Sequence, residues 1–136
     1  LLANSGCISD EQSIIAIKKV FELEKIAYDN TVTPDSWGAA KLQLDLAKLY
    51  ARLDNNSKAV EHLKIGAIAA KAFDKRPEEQ FFSSILLGDI TDKKIDFETS
   101  DTRTLCEIMH DKWLPSPEFD QLRNTNEFKE IVNILC

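Results

Sequence analysis

Few residues in this chain could perform nucleophilic, acid–base or metal chemistry. Its 136 residues include two histidines and three cysteines. Cys106 and His110 are spaced to share one helical face, but a stable zinc site takes about four ligands. Glu107 and Asp111 have the same spacing, which is common on solvated helices. The glycines are isolated and form no phosphate-binding loop. We therefore predict that the chain is not an enzyme and holds no metal and no cofactor.

A charged row could bind a ligand without catalysing a reaction. Its members recur at i, i+4, i+7 and i+11 and so lie along one helix: Lys41, Asp45, Lys48 and Arg52. Cations in such a row can hold a carboxylate or the carbonyl oxygens of an extended peptide. Alternatively, Asp45 pairs with Lys41 and Lys48 and the row is a solvated surface, where each exposed pair contributes about 0.3–0.5 kcal/mol.

Apolar residues at helical spacing predict an all-α fold. The predicted helices span about residues 10–28, 36–53, 57–73, 78–87, 101–113, 118–123 and 126–135. Ser9 and Gln12 form a capping box before the first helix, and Pro77 separates the third from the fourth. The first helix is apolar on two sides, so we expect neighbours on both. Periodicity is lost over 88–100, which predicts a loop that is either functional or mobile.

Two further apolar sets are predicted to be structural rather than ligand-binding. Trp37 and Trp113 are expected to cover helix ends. The face that docks the last helices is expected to consist of Phe119, Leu122, Phe128, Ile131 and Leu135.

Residues 42–70 resemble one tetratricopeptide (TPR) unit. Two helices joined by a polar turn carry the residues that resemble this repeat: Leu46, Ala47, Tyr50, Ala59, Leu63 and Gly66. Small residues there allow the helices to approach closely. The resemblance implies TPR-like antiparallel helical hairpins, a fragment of a right-handed α-α superhelix with extra C-terminal helices. It also implies a concave groove lined by the first helix, with candidate ligand-binding residues Lys41, Leu44, Lys48 and Arg52.

Composition limits the possible partners and compartment. A net charge of −6 argues against nucleic-acid contact by this segment. No apolar run approaches the roughly 20 residues that span a membrane. Odd, widely spaced cysteines without a CxxC motif suggest a reducing cytoplasm. We expect a single domain over 1–136, with helical hairpins over 9–87, the loop over 88–100 and capping helices over 101–136. The missing initiator Met suggests a fragment of a longer protein.

A wider resemblance covers most of the chain from about Ser13. It is carried by the segments LAKLYARLDNNSKAVEHLKIGAIAAKAFD, FFSSILLG, TLCEIMHDKW and FDQLRNTNEFKEIVNIL. These are similar to the C-terminal region of Gram-positive helix-turn-helix transcriptional regulators of the xenobiotic-response-element family. The resemblance implies a sensor or dimerisation module that binds a peptide, a small ligand or its own twin, and a homodimer formed through the first or the C-terminal helices. The alternative is a free-standing TPR-like adaptor that binds a peptide or protein tail in its groove.

Overall fold

The computed structural model describes residues 8–30, 33–94 and 101–136, which form mainly helices. The first part contains α1 (Asp10–Ala27), α2 (Trp37–Arg52) and α3 (Asn56–Lys75). An antiparallel hairpin of β1 (Glu79–Ser84) and β2 (Gly88–Lys93) follows. The C-terminal part contains α4 (Leu105–Ile108), a π-helical turn (Met109–Trp113), a 3₁₀ segment (Pro117–Leu122) and α5 (Asn126–Leu135).

Local capping sets the bounds of the long helices. At the start of α1, the Gln12 N–H donates to Ser9 Oγ at 3.2 Å, and Gln12 Oε1 accepts from the Ser9 N–H at 3.0 Å. The predicted capping box is therefore confirmed. Between α2 and α3, Asp54 has the left-handed φ of 57° that allows the tight turn, and Asn55 Oδ1 accepts from the Lys58 N–H.

The closely packed pair of α2 and α3 forms the centre of the fold. The small residues Ala47, Ala59 and Gly66, where the sequence predicts close approach, are all buried. A Cβ atom at position 66 would lie 3.3 Å from Gln43 Cβ, tighter than most van der Waals contacts. Glycine at this position therefore lets the two helices come together.

The hairpin corrects the sequence prediction. The predicted helix over 78–87 is wrong, because Glu79–Ser84 is strand β1. The predicted loop over 88–100 is wrong at its start, which is strand β2, and residues 95–100 lie outside the described part of the chain. The predicted all-α fold is therefore confirmed approximately, since the described residues are mainly helical and add one small two-stranded sheet. Phe82 lies opposite Ile90, and Gly88 takes a φ of 72° that favours glycine.

A buried arginine joins the hairpin to the helices. The Arg76 side chain follows α3 and is only 2% exposed. Its Nη1 donates to Asp35 O at 2.6 Å and to Asp92 Oδ2 at 2.8 Å, and Nη2 donates to Asp92 O at 2.9 Å. The Tyr28 ring also meets the Phe82 ring edge-on at 5.4 Å. The hairpin is therefore fixed against residues that are distant in sequence.

The C-terminal helices differ from their predicted bounds. The helix predicted over 101–113 begins only at Leu105, after the cap residue Thr104, and becomes π-helical from Met109. Asp74 accepts hydrogen bonds from the N–H groups of Leu105 and Cys106 at 2.8 and 2.9 Å. Ser100, which the sequence offers as the cap of that helix, lies outside the described residues. A 3₁₀ segment replaces the helix predicted over 118–123, and α5 begins at Asn126 as predicted, with Thr125 as its cap.

The core spans the central helices and the C-terminal part. Trp37 and Trp113 are buried and pack edge to face at 5.2 Å, which confirms their structural role. The predicted docking face is buried at Phe119, Leu122, Phe128 and Ile131, and Leu135 is half-buried. Within the described ranges, no helix combines the length and apolar character needed to cross a bilayer.

Candidate functional site

The predicted groove residue Leu44 does not line an open surface. Its side chain is fully buried within the core cluster. Helix α2 itself packs against both α3 and the 3₁₀ segment. The assignment of Leu44 to a ligand-binding groove is therefore wrong, since a ligand could contact it only by displacing the chain's own elements.

The charged residues of α2 lie beside groups of the same chain. Lys41 Nζ pairs with Asp45 Oδ1 at 2.8 Å and lies 5.7 Å from the centre of the Trp113 ring. Arg52 Nε pairs with Asp10 Oδ2 of α1 at 3.3 Å. The Lys41–Asp45 pair agrees with the alternative interpretation, in which the charged row is a solvated surface of ion pairs.

Lys48 and Arg52 also lie near the start of the 3₁₀ segment. The pKa of the Glu118 carboxyl is lowered chiefly because the Ser116 hydroxyl donates to it, and to a smaller extent because these two cations are nearby. The structure therefore brings Lys48 and Arg52 together with a carboxylate of this chain, and it places Lys41 beside a different partner.

Cys106, His110 and Glu107, the candidates for chemistry around α4, each contact a different group of the chain. Burial and the Asp74 carboxylate raise the pKa of the Cys106 thiol to about 12, so the reactive thiolate is disfavoured. His110 Nδ1 lies 2.8 Å from Asp111 Oδ1 on the surface, and Glu107 completes the cap of α4. In the described ranges, no group of three or more potential ligand residues is arranged to hold a metal.

His62 belongs to a packed polar cluster between α1, α2 and α3. Its ring stacks on the Tyr50 ring at 5.4 Å, and its Nδ1 lies 2.8 Å from Gln43 Oε1. Lys18 Nζ lies 5.6 Å from the centre of the same Tyr50 ring. Burial lowers the pKa of His62, which favours the neutral imidazole. The cluster therefore joins α1, α2 and α3.

The outer face of α1 is an exposed apolar surface. Ile17 faces the core, and on the opposite side Ile15, Leu23 and Ile26 have exposed fractions of 54, 65 and 56%. These three side chains share one face of α1, and exposed apolar patches mark interaction sites in soluble proteins. The expectation that α1 has neighbours on both sides is met on its inner face, which packs against α2. We call Ile15, Leu23 and Ile26, with the charged residues between them, the α1 outer face.

The hairpin exposes a second apolar surface. Phe81 is 80% exposed, and Ile85 and Leu86 at the tip are also largely exposed. A shallow depression of about 410 Å³ lies on the hairpin, lined by Phe81, Phe82, Ser83, Asp89, Ile90 and Thr91. The Ile85 N–H donates to Asp29 Oδ2 at 2.9 Å, so the tip lies beside the end of α1.

Sequence reasoning missed Phe81 and Ile85 because it placed them in a helix. A usable signal was present, since Phe81-Phe82 and Ile90-Thr91 favour strands and Gly88 lies between them.

The described residues define a mainly helical chain with a small β-hairpin and exposed apolar surfaces on α1 and the hairpin. Comparison of the sequence and structure with known protein families, curated proteins and solved structures finds no match.

Proposed function

We propose that this chain is a non-catalytic protein-interaction or sensor module, the regulatory or dimerisation C-terminal domain of a transcriptional regulator. The observation that carries the proposal is the α1 outer face, where Ile15, Leu23 and Ile26 are each more than half exposed. Burying apolar area of this kind against a partner is favourable by about 25 cal/mol per Å². The proposed partner is a protein, and a homodimer is the simplest assembly.

Charge and side-chain chemistry support the same class of function. The net charge of −6 disfavours contact between this segment and a phosphate backbone, so DNA binding is assigned to a separate domain of the regulator. Burial holds Cys106 in its protonated form, and Asp74, the carboxylate beside it, caps a helix. The regulatory part of the proposal is motivated by the resemblance, stated in the sequence analysis, of the segments around α2, α3 and the C-terminal part to TPR-like regulator domains.

The alternative function, a TPR-like adaptor with a peptide groove on α2, has less support. A bound carboxylate would have to compete with Asp45 for Lys41 and with Asp10 for Arg52. Leu44 offers the peptide no apolar contact, because it is buried.

Sedimentation velocity over a range of protein concentrations tests the dimerisation role. We expect concentration-dependent self-association that is lost in the double variant Leu23→Ser/Ile26→Ser, because its α1 outer face is polar. The matched control is Ile65→Ser/Ile68→Ser, which makes the same change on an exposed face of α3. We expect the control to associate like the unaltered chain.

Two results would contradict the proposed function. One is a monomer at every concentration, which would overturn the dimerisation role. The other is a gene in which no helix-turn-helix region is encoded upstream of Leu1, which sequencing of the coding region would reveal.

A further inference from the structure

The α1 outer face has a symmetric order of residue types. A row at i, i+4, i+7 and i+11 runs along the side opposite the buried residue Ile17 and consists of Ile15, Lys19, Glu22 and Ile26. From one end its order is apolar, basic, acidic, apolar. From the other end it is apolar, acidic, basic, apolar. The midpoint of the row lies between residues 20 and 21, so an antiparallel copy presents the complementary type at each position.

We propose that two copies of this chain associate through antiparallel α1 helices, related by a two-fold axis that passes between residues 20 and 21. The inference rests on the proposed function and deepens it by naming a second copy as the partner. In this arrangement Ile15 packs against the partner's Ile26, and Lys19 pairs with the partner's Glu22. Because the interface is isologous, each contact occurs twice.

Exposure and length make the row available for this pairing. Lys19 and Glu22 are exposed, and within the described part of the chain neither is held in an ion pair. The 18 residues of α1 span about 27 Å at 1.5 Å per residue. This length contains the whole row, and Leu23 flanks it with further exposed apolar surface.

Charge disfavours the competing arrangements of the same helices. A parallel pair in register would place Lys19 against the partner's Lys19 and Glu22 against the partner's Glu22. An antiparallel pair shifted by one turn would place isoleucines against charged residues. Such like-charge and apolar–charged contacts cost free energy, so the complementary register is favoured.

Charge reversal tests the register directly. The variants Lys19→Glu and Glu22→Lys each replace both opposite-charge contacts by like-charge contacts. We expect each variant alone to have a dissociation constant raised about tenfold, which corresponds to about 1.4 kcal/mol. An equimolar mixture of the two variants restores both opposite-charge contacts, so we expect it to associate about as tightly as the unaltered chain. Sedimentation equilibrium of each variant and of the mixture measures these constants.

A matched control is available on α3, where Lys58 and Glu61 form an exposed pair at the same i, i+3 spacing, with Nζ 3.1 Å from Oε2. Lys58→Glu and Glu61→Lys should leave the dissociation constant unchanged. Thermal unfolding of each variant checks that the helices remain folded.

Each outcome has a distinct meaning. Weakening in both single variants and recovery in the mixture supports the antiparallel register. If the unaltered chain associates but the single variants do not weaken it, or the mixture does not recover, the register is overturned while the interaction function stands. If the unaltered chain is monomeric throughout, both the register and the dimerisation function are overturned, and the α1 outer face is left to a different protein.

Discussion

Replacing Arg76 by Met should release the hairpin from the helices. The arginine is 2% exposed and its guanidinium reaches both the segment before α2 and strand β2, through Asp35 O, Asp92 O and the Asp92 carboxylate. Methionine preserves much of the apolar packing of the stem but provides no donor. Because the substitution removes the cation and leaves its acceptors unpaired, it is expected to be among the more costly changes in this fold.

The magnitude follows from the exposure of the acceptors. Removing one partner of a buried ion pair typically costs about 3–5 kcal/mol, because the remaining charge is left unpaired. The Asp92 side chain is 32% exposed, so water can solvate part of its charge once Arg76 is gone. We therefore expect a loss of about 2–4 kcal/mol in the free energy of unfolding.

Urea unfolding followed by tryptophan fluorescence measures the global loss, since Trp37 and Trp113 pack in the core. Amide hydrogen exchange at Phe82 and Ile90 measures the local release of the hairpin. Arg52→Met is the matched control, because the Arg52–Asp10 pair is exposed and should contribute less than about 1 kcal/mol. If Arg76→Met costs no more than Arg52→Met, and exchange in the hairpin is unchanged, the anchoring role of Arg76 is refuted.

Two further predictions concern pH and thiol reactivity. Burial lowers the pKa of His62 below its usual 6.5, although the nearby Glu61 opposes this shift. The unfolded chain therefore binds a proton at His62 more readily than the folded chain does. Stability should be full above pH 6.5 and fall as pH drops below it, and His62→Gln should reduce this slope in urea unfolding between about pH 5 and 8; identical slopes would contradict the burial argument. Burial also raises the pKa of the Cys106 thiol to about 12, so iodoacetamide at about pH 8 should label exposed Cys136 much faster than Cys106 in the folded chain. Mass spectrometry of peptides measures both rates, and equal rates would refute the prediction.

Local signals accounted for the parts of the fold that the sequence predicted correctly. The caps Ser9 and Thr125 each accept a backbone N–H three residues ahead, so their geometry depends on neighbouring residues alone. The small residues of the central pair, such as Gly66, were also recognisable because helical spacing aligns them.

The local signal for the hairpin was weaker than the signals for the helices. The segment FFSSILLG contains apolar residues that suit either a helix or a strand. What holds it as a strand lies elsewhere in the chain, in the contact of Phe82 with Tyr28 and in the anchoring of Asp92 by Arg76. Such contacts join residues separated by tens of positions, and a local pattern does not report them.

The sequence by itself determined the helical pair of α2 and α3, the caps of the first and last helices and the apolar residues of α1. Tertiary structure decided which of those residues stay exposed: it buried Leu44, joined Arg52 to Asp10 and left Ile15 and Ile26 open on α1. Periodicity identifies residues that share a helical face, whereas burial depends on which elements of the folded chain cover that face.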